Sequence, residues 1–237
     1  TQNETPGEIM FYENGTWVNV SNEKINEACD ATILDLMNVA QDPNDKDHYF
    51  VTSYGSGMLE MYGEDVIKLY TPSNSALVSA APNAPNRYTR TDGAMFDDKG
   101  YLWVLNTEVE NNILIMDAQG NKLAAYSLYS NSVRVPLYTP GEIIVDRRNP
   151  QWKWIPQCRY NTGLLLLQDN GTPTNDKDDQ VFYRNEWYDQ NGKPVIPEFI
   201  YSMAQDHDNT IWVGTNAGLF LIPATIDFTT SNRCERV

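Results

Sequence analysis

The side chains of this sequence that could take part in hydrolysis are its two histidines and its many acids. A hydrolase needs a nucleophile beside a base, or two carboxylates that face each other in a pocket. His48 and His207 fall in equivalent polar turns of two different repeats, so we expect both to be exposed turn residues. We therefore predict no catalytic residue, no bound cofactor and no enzymatic activity.

Metal binding is the second chemistry that the residue types could support. Residues 169–180, DNGTPTNDKDDQ, hold four acids and are loosely similar to a calcium loop. A calcium loop of the EF-hand type needs a glycine at its sixth position and a glutamate at its twelfth, whereas Gly171 precedes most of these acids and no glutamate closes the loop. We expect solvated hairpin loops at 169–180 and at 42–47, and the sequence leaves calcium at the first one open. With two histidines and three scattered cysteines, a zinc site is not expected.

Charge and composition restrict the partners. The 237 residues are 41% hydrophobic and 11% aromatic, which is enough for a large core, and the formal net charge is −15. Such a charge argues against nucleic acid and against an anionic membrane surface. No stretch approaches 18 apolar residues, so no membrane insertion is expected. The odd number of cysteines leaves at least one thiol unpaired within the chain and the redox compartment open.

Four segments of the chain repeat one pattern around an aspartate. The anchors are Asp42, Asp97, Asp146 and Asp206. In each copy an apolar run ends at the anchor, and a polar turn then leads to a strand with bulky residues at alternating positions. These second strands read HYFVTS, YLWVLN, WKWIPQ and TIWVGT. A loop and a third apolar strand follow, and the first three copies add a fourth strand.

Four antiparallel strands in each unit of about 40–50 residues are typical of a β-propeller blade. We predict an all-β protein, a partial β-propeller of about four to five blades; the alternative is a pair of β-sandwich domains. Helix signals are weak, and only residues 21–36 could hold one short helix, with Ser21 as its N-cap. The tryptophans of the second strands, Trp103, Trp154 and Trp212, are expected in the core, and Trp17 and Trp187 in fourth strands.

The predicted blades divide the chain at the polar segments between repeats. The boundaries are 1–20 for the outer strands of an incomplete blade, 21–73, 74–132 and 133–195 for blades, and 196–237 for a blade that is incomplete or closed by the N-terminal strands. We expect an arc of a longer propeller, with the remaining blades of the parent protein as partners, and a closed small ring is the alternative.

The copies DKGYLWVLNTEVENNILIMD and DHDNTIWVGTNAGLFLI resemble the two-component-regulator propeller repeat of Bacteroidetes. The first and third copies depart from it, with Tyr49-Phe50-Val51 and Ile155-Pro156 in place of its Trp-centred and Val-Gly positions. Residues 158–218 are similar to PorZ-like propellers of the type IX secretion system. That resemblance implies two propellers of seven blades in the parent protein, a periplasmic or cell-surface location, and a non-enzymatic binding or scaffold role near anionic lipopolysaccharide. The related hybrid two-component regulators imply the alternative, a periplasmic propeller that senses glycan fragments.

Propeller topology predicts where a ligand would bind. The loops between second and third strands share one face with the connections between blades. Side chains of those loops are expected to project there, namely Tyr54, Glu108, Arg159, Tyr160 and Asn216. Tyrosine, asparagine and arginine suit polar ligands such as sugars. We therefore predict a polysaccharide or protein ligand on this face; the alternative is that these are ordinary loop residues.

Overall fold

The computed structural model describes residues 3–237, and its regular structure is almost entirely β-strand, as predicted. The predicted first segment starts at residue 1, and its residues 1 and 2 lie outside the described part. The chain forms two compact units, one of Thr1–Val109 with Leu114–Leu123 and one of Glu110–Ile113 with Ala124–Val237.

The first unit starts with an antiparallel hairpin and a helix, followed by one four-stranded sheet. These elements are β1 (Ile9–Glu13), β2 (Thr16–Val20), α1 (Asn22–Cys29), β3 (Leu36–Asp42), β4 (Asp45–Gly55), β5 (Gly57–Tyr62) and β6 (Asp65–Tyr70). A short helix and a second four-stranded sheet come next. They are α2 (Pro85–Tyr88), β7 (Thr89–Phe96), β8 (Leu102–Asn106), β9 (Ile113–Met116) and β10 (Lys122–Tyr126). Each sheet runs in chain order, and β4 also pairs with β7.

The second unit contains two small hairpins and two four-stranded sheets. The hairpins are β11 (Leu128–Ser130) with β12 (Val133–Val135), and β17 (Trp187–Tyr188) with β18 (Pro194–Val195). One sheet consists of β13 (Ile144–Val145), β14 (Trp152–Gln157), β15 (Gly163–Gln168) and β16 (Gln180–Arg184). The other consists of β19 (Ile200–Gln205), β20 (Ile211–Thr215), β21 (Gly218–Ile222) and β22 (Glu235–Arg236). Each of the four predicted repeats thus forms one antiparallel sheet, and the last sheet takes its fourth strand from Glu235–Arg236, where none was predicted.

Two local expectations need correction. Helix α1 is fully formed, although its sequence signal was weak: the Ser21 side chain accepts the backbone N–H of Lys24 at 3.3 Å, and Asp30 ends the helix in the left-handed conformation. Trp187 is not in a fourth strand but in the hairpin β17–β18, where it is completely buried against Phe220. The prediction failed there because the fourth strand β16 ends earlier, at Arg184.

Each unit has its own hydrophobic core. In the first unit the inward-facing residues of the hairpin β1–β2 pack with α1 and with strands β4 and β5; the members include Val20, Ile25, Tyr49 and Leu59. In the second unit Trp154 and Trp187 pack with the apolar residues of the last sheet. The prediction of three core tryptophans is confirmed for Trp103 and Trp154, which are essentially fully buried, and wrong for Trp212, which is only partly buried.

Three anchor aspartates accept the indole N–H of a tryptophan on the following strand. These Asp–indole bonds join Asp97 to Trp103 at 2.9 Å, Asp146 to Trp154 at 2.9 Å and Asp206 to Trp212 at 2.6 Å. The strand register causes them: Met95 lies opposite Trp103, so Asp97, two residues further, lies diagonally across from the indole on the same face. The other carboxylate oxygen of each aspartate accepts backbone N–H groups of the turn. One carboxylate thus fixes both the turn and the strand that follows it.

In the first repeat a histidine ring nitrogen lies at hydrogen-bond distance from the anchor aspartate, where an indole N–H does so elsewhere. Phe50 occupies the register position of the tryptophan, opposite Ala40, and has no N–H to donate. His48 lies two residues earlier on β4, with Nδ1 3.3 Å from Asp42 Oδ2 and Nε2 3.0 Å from Glu60 Oε1. The expectation that His48 is an exposed turn residue is therefore wrong: its side chain is mostly buried between two carboxylates.

Candidate functional site

The predicted site residues of the first unit, Tyr54 and Glu108, lie in one cluster around Arg90. The guanidinium of Arg90 lies over the ring of Tyr54, 4.8 Å from its centroid, and 5.1 Å from that of Tyr88. Arg90 is also ion-paired with Glu108, which accepts the Tyr54 hydroxyl at 3.4 Å. Tyr54 is only 4% exposed, because the chain continues β4 as far as Gly55 and pairs it with β7. Glu108 is therefore the exposed residue of the cluster, Tyr88 and Arg90 are half-buried, and Tyr54 packs beneath the Arg90 guanidinium.

A buried acid lies beside this cluster. Asp92 is 3% exposed and accepts the hydroxyl of Thr107 at 2.9 Å. Burial raises the pKa of Asp92 to about 8, although the Thr107 hydroxyl and the Arg90 guanidinium favour the ionised form. Burial is also the main cause that raises the pKa of Tyr54. The tyrosine is therefore a neutral hydrogen-bond donor at neutral pH, and the cluster presents charge only through Arg90 and Glu108.

The predicted site residues of the second unit, Arg159, Tyr160 and Asn216, form another cluster that includes Phe199. The Arg159 guanidinium lies 5.9 Å from the centroid of the Tyr160 ring and 5.6 Å from that of Phe199. Asn216 Oδ1 accepts the backbone N–H groups of Glu198 and Phe199 at 3.0 and 2.9 Å. Asn216 therefore holds the segment that carries Phe199, and Arg159 with the aromatic rings forms the surface that is open to a ligand.

Two tyrosines at this cluster are strongly exposed, and Phe199 is half-buried. Tyr160 is 63% exposed and Tyr201 is 69% exposed. The rings of Phe199 and Tyr201 are stacked, with planes 3° apart and centroids 6.4 Å apart. Exposed aromatic faces next to a guanidinium can stack on the apolar face of a sugar ring while the guanidinium binds an anionic substituent. The prediction missed Phe199 and Tyr201, although their spacing of two around the buried Ile200 indicates a shared exposed face.

The loop that carries Arg159 and Tyr160 is held in one conformation. Tyr160 and Asn161 both have positive φ, 53° and 62°, and the Tyr183 hydroxyl donates to the Asn161 carbonyl at 2.5 Å. A side chain at Gly163 would overlap the Arg184 carbonyl, so the close approach of β15 and β16 requires glycine there. The exposed ring of Tyr160 is therefore presented by a fixed backbone.

The acidic loop at 169–180 is only partly solvated. Its first residue, Asp169, is buried and ion-paired with Lys153, whose Nζ lies 2.5 Å from Oδ2. Further along the loop, Asp178 accepts the Thr172 hydroxyl at 2.9 Å. In the part of the chain that the structure describes, no group of three or more His, Cys, Asp or Glu side chains is arranged to hold a metal ion.

No helix among residues 3–237 is both long enough and apolar enough to span a membrane. Within the same residues all three cysteines are free thiols. Burial raises the pKa of Cys29 and of Cys234 to about 11, so neither is a thiolate at neutral pH.

The sequence matches the family model of the two component regulator propeller over residues 194–217. These residues include strands β18, β19 and β20, and with them the third Asp–indole bond, between Asp206 and Trp212. None of the curated proteins matches the sequence.

Solved structures share the fold over nearly the whole chain. PorZ, a surface component of the type IX secretion system of Porphyromonas gingivalis, superposes with a TM-score of 0.81 at 24% identity; the match covers 98% of this chain and 31% of PorZ. The WD40 β-propeller domain of Doa1 superposes with a TM-score of 0.54 at 12% identity, and the match covers 93% of this chain and 58% of that chain. The extracellular domain of BT3049 from B. thetaiotaomicron, assigned to a hybrid two component system, superposes with a TM-score of 0.50 at 15% identity. The match covers 93% of this chain and 31% of that domain.

At these identities the likeness establishes the fold, and the chain spans about a third of the length of PorZ. The four antiparallel sheets, their shared Asp-anchored turns and the matched repeat lead to one conclusion. The chain has a β-propeller fold, and its residues 194–217 match the two component regulator propeller model.

Proposed function

We propose that this chain is a non-catalytic binding module that works outside the cytoplasm and recognises an anionic polysaccharide. The cluster of Arg159, Tyr160 and Phe199 in the second unit supports the proposal most directly. It combines a guanidinium with the exposed ring of Tyr160 and the half-buried ring of Phe199, which suits a sugar chain that carries carboxylates or phosphates. The location is supported by PorZ, a bacterial surface component, and by the extracellular domain BT3049, which have this fold.

A binding role fits the chemistry of the cluster better than catalysis does. Among the described residues Arg159 forms no ion pair, and its guanidinium lies over the rings of Tyr160 and Phe199. The cluster can therefore bind charge and an apolar face, but it offers no group for proton transfer. Because one fold serves many functions, the proposal depends on this site and not on the propeller itself.

Calorimetric titration of the chain with oligogalacturonate, a polyuronate, tests the proposal, with neutral dextran as the comparison ligand. We expect binding of the polyuronate and much weaker binding of dextran. Arg159→Ala should weaken polyuronate binding about tenfold or more, because a charge-assisted hydrogen bond contributes about 1.5–3 kcal/mol. Tyr160→Ala should weaken it by a smaller factor, since stacking contributes about 0.5–1.5 kcal/mol.

The matched control is Tyr129→Ala, which removes another exposed tyrosine of the second unit, 53% exposed on β11. It should bind as the unaltered chain does. Equal affinity of the unaltered chain, Arg159→Ala and Tyr160→Ala would refute the assignment of this cluster. Turnover of the polyuronate into shorter products would refute the non-catalytic role.

The second candidate function is the sensing propeller of a two-component regulator, and the family-model match at residues 194–217 favours it. A sensor would be expected to bind a short glycan fragment, whereas a surface scaffold would be expected to bind a long chain or a protein partner. Titration with a length series of the same oligosaccharide separates the two. Full affinity with a disaccharide supports the sensor, and affinity that rises steadily with chain length supports the scaffold.

A further inference from the structure

A cleft of about 410 Å³ lies in the first unit, between the segment after α1, the β4–β5 connection and helix α2. We name it the α1 cleft. Its volume falls within the range of small-molecule sites. The lining residues used below are Asp30, Thr32, Leu34, Leu69, Asn86 and Arg87. The cleft shares no residue with the clusters around Arg90 and Arg159, so its assignment does not depend on the proposed function.

The α1 cleft has an apolar side and a polar side. Leu34 and Leu69 are half-buried and give an apolar surface. Thr32 and Asn86 are exposed, and their hydroxyl and amide groups have no hydrogen-bond partner among residues 3–237. A ligand that fits both sides must have an apolar face and several hydroxyl groups, which is the chemistry of a pyranose ring.

The wall that carries these residues is held rigidly. The Asn22 side chain donates to the Ile33 carbonyl at 2.8 Å, and Asn26 Oδ1 accepts the Ile33 N–H at 2.7 Å. The Ser53 hydroxyl donates to the Leu34 carbonyl at 2.7 Å. Because side chains hold the backbone at these points, the cleft is formed before a ligand arrives, and less ordering entropy is lost on binding.

The charge of the cleft selects a cation. Arg87 is ion-paired with Glu4, so these two side chains largely offset each other. Asp30 forms no ion pair among the described residues, and it stands at the carboxyl end of α1, whose last turn contains no basic residue. The helix dipole adds partial negative charge at that end, so an ammonium group is favoured beside Asp30. The net charge of −15 favours the approach of a cationic ligand as well.

We propose that the α1 cleft binds an amino sugar with a free ammonium group. The Asp30 carboxylate accepts hydrogen bonds from the ammonium, Thr32 and Asn86 bind hydroxyl groups, and the ring rests on Leu34 and Leu69. A neutral sugar meets the same walls but leaves Asp30 without its partner.

Titration of the chain with glucosamine, glucose and N-acetylglucosamine, followed by NMR chemical shifts, tests the proposal. Glucosamine should bind about tenfold more tightly than the other two sugars, because a charge-assisted hydrogen bond is stronger than a neutral one. Asp30→Asn should remove this preference. Asparagine tolerates the left-handed backbone of Asp30, with φ of 48°, so the variant keeps the helix end. Asp98→Asn, at an exposed acid in the β7–β8 turn, is the matched control and should keep it.

Three results would overturn the proposal: equal binding of glucosamine and glucose, an unchanged preference in Asp30→Asn, or tighter binding of lysine methyl ester than of glucosamine. Asn86→Ala provides a second variant and should weaken all three sugars together. Arg159→Ala separates this site from the polysaccharide cluster, since it should leave glucosamine binding unchanged whatever it does to the polyuronate.

Discussion

Replacing Lys153 with methionine should destabilise the second unit by about 3–5 kcal/mol, because it leaves Asp169 as a buried charge without its partner. Lys153 Nζ lies 2.5 Å from Asp169 Oδ2 and 2.8 Å from the Pro150 carbonyl. The two side chains are only 2% and 1% exposed. Methionine keeps an unbranched stem of similar length, so the change removes mainly the ammonium group.

The magnitude follows from what remains around Asp169. Its Oδ1 keeps the N–H of Gly171 at 3.0 Å, but Oδ2 loses the ammonium. A second carboxylate, that of Asp179, lies in the same loop with both oxygens buried and without a hydrogen-bond partner among the described residues. Desolvation and the neighbouring acids raise the pKa of Asp179 to about 7, and Lys153 opposes that rise. Loss of Lys153 therefore leaves two acids unbalanced, in contrast to an exposed ion pair, whose loss costs about 0–1 kcal/mol.

Urea unfolding at pH 7 followed by tryptophan fluorescence measures the effect, and four of the six tryptophans lie in this unit. Lys193→Met, at an exposed lysine of the same unit, is the control and should change the free energy of unfolding by less than about 0.5 kcal/mol. The double variant Lys153→Met/Asp169→Asn should recover most of the loss, since it removes both charges. A loss in Lys153→Met no larger than that of the control would refute the reasoning.

Two further predictions concern a carboxylate and an indole. Asp179 keeps its proton to about pH 7 in the folded state and loses it near its ordinary pKa of 3.8 when unfolded, so stability should fall as pH rises through that window. Asp179→Asn should remove this decrease of stability with pH and should be the more stable form at pH 8. Urea unfolding of both proteins at pH 5 and pH 8 measures the change. An equal decrease in the free energy of unfolding of the variant between the two pH values would contradict the prediction. Trp103→Phe should cost about 2–3 kcal/mol, because it leaves buried Asp97 without its indole donor. Thermal unfolding checks the value against Trp17→Phe, at an exposed indole; equal losses would contradict it.

The architecture could be predicted from sequence because it depends on local patterns. An aspartate, a polar turn and an alternating strand identify each hairpin, and the hairpins then define the sheets. What could not be predicted is which side chains meet across strands. The Asp–indole bonds require the register of β7 against β8, and a shift of one residue would turn Asp97 and Trp103 to different faces.

In the candidate site, too, local features could be predicted from the sequence and contacts between distant residues could not. Arg159 and Tyr160 are adjacent in the chain and share one turn, so loop position alone places their side chains near each other. Tyr54 was expected to project from a loop, but β4 extends through it and pairs with β7, so its ring is buried under Arg90. The contribution of Phe199 depends on Asn216, seventeen residues later, which holds its backbone N–H. Such long-range support leaves no trace in a local pattern.

In the first repeat two residues, Phe50 and His48, take the place of the single tryptophan of the other repeats, and this affects how blades are counted from sequence. There the phenyl ring of Phe50 fills the space and Nδ1 of His48 lies at hydrogen-bond distance from Asp42, whereas a single indole does both in the three other sheets. A sequence profile that expects tryptophan at one position gives such a blade a lower score at two positions: at Phe50, where the tryptophan is missing, and at His48, where histidine is not expected. Scoring the two same-face positions jointly, as one polar group plus one ring, would treat this sheet and the three tryptophan-bearing sheets alike.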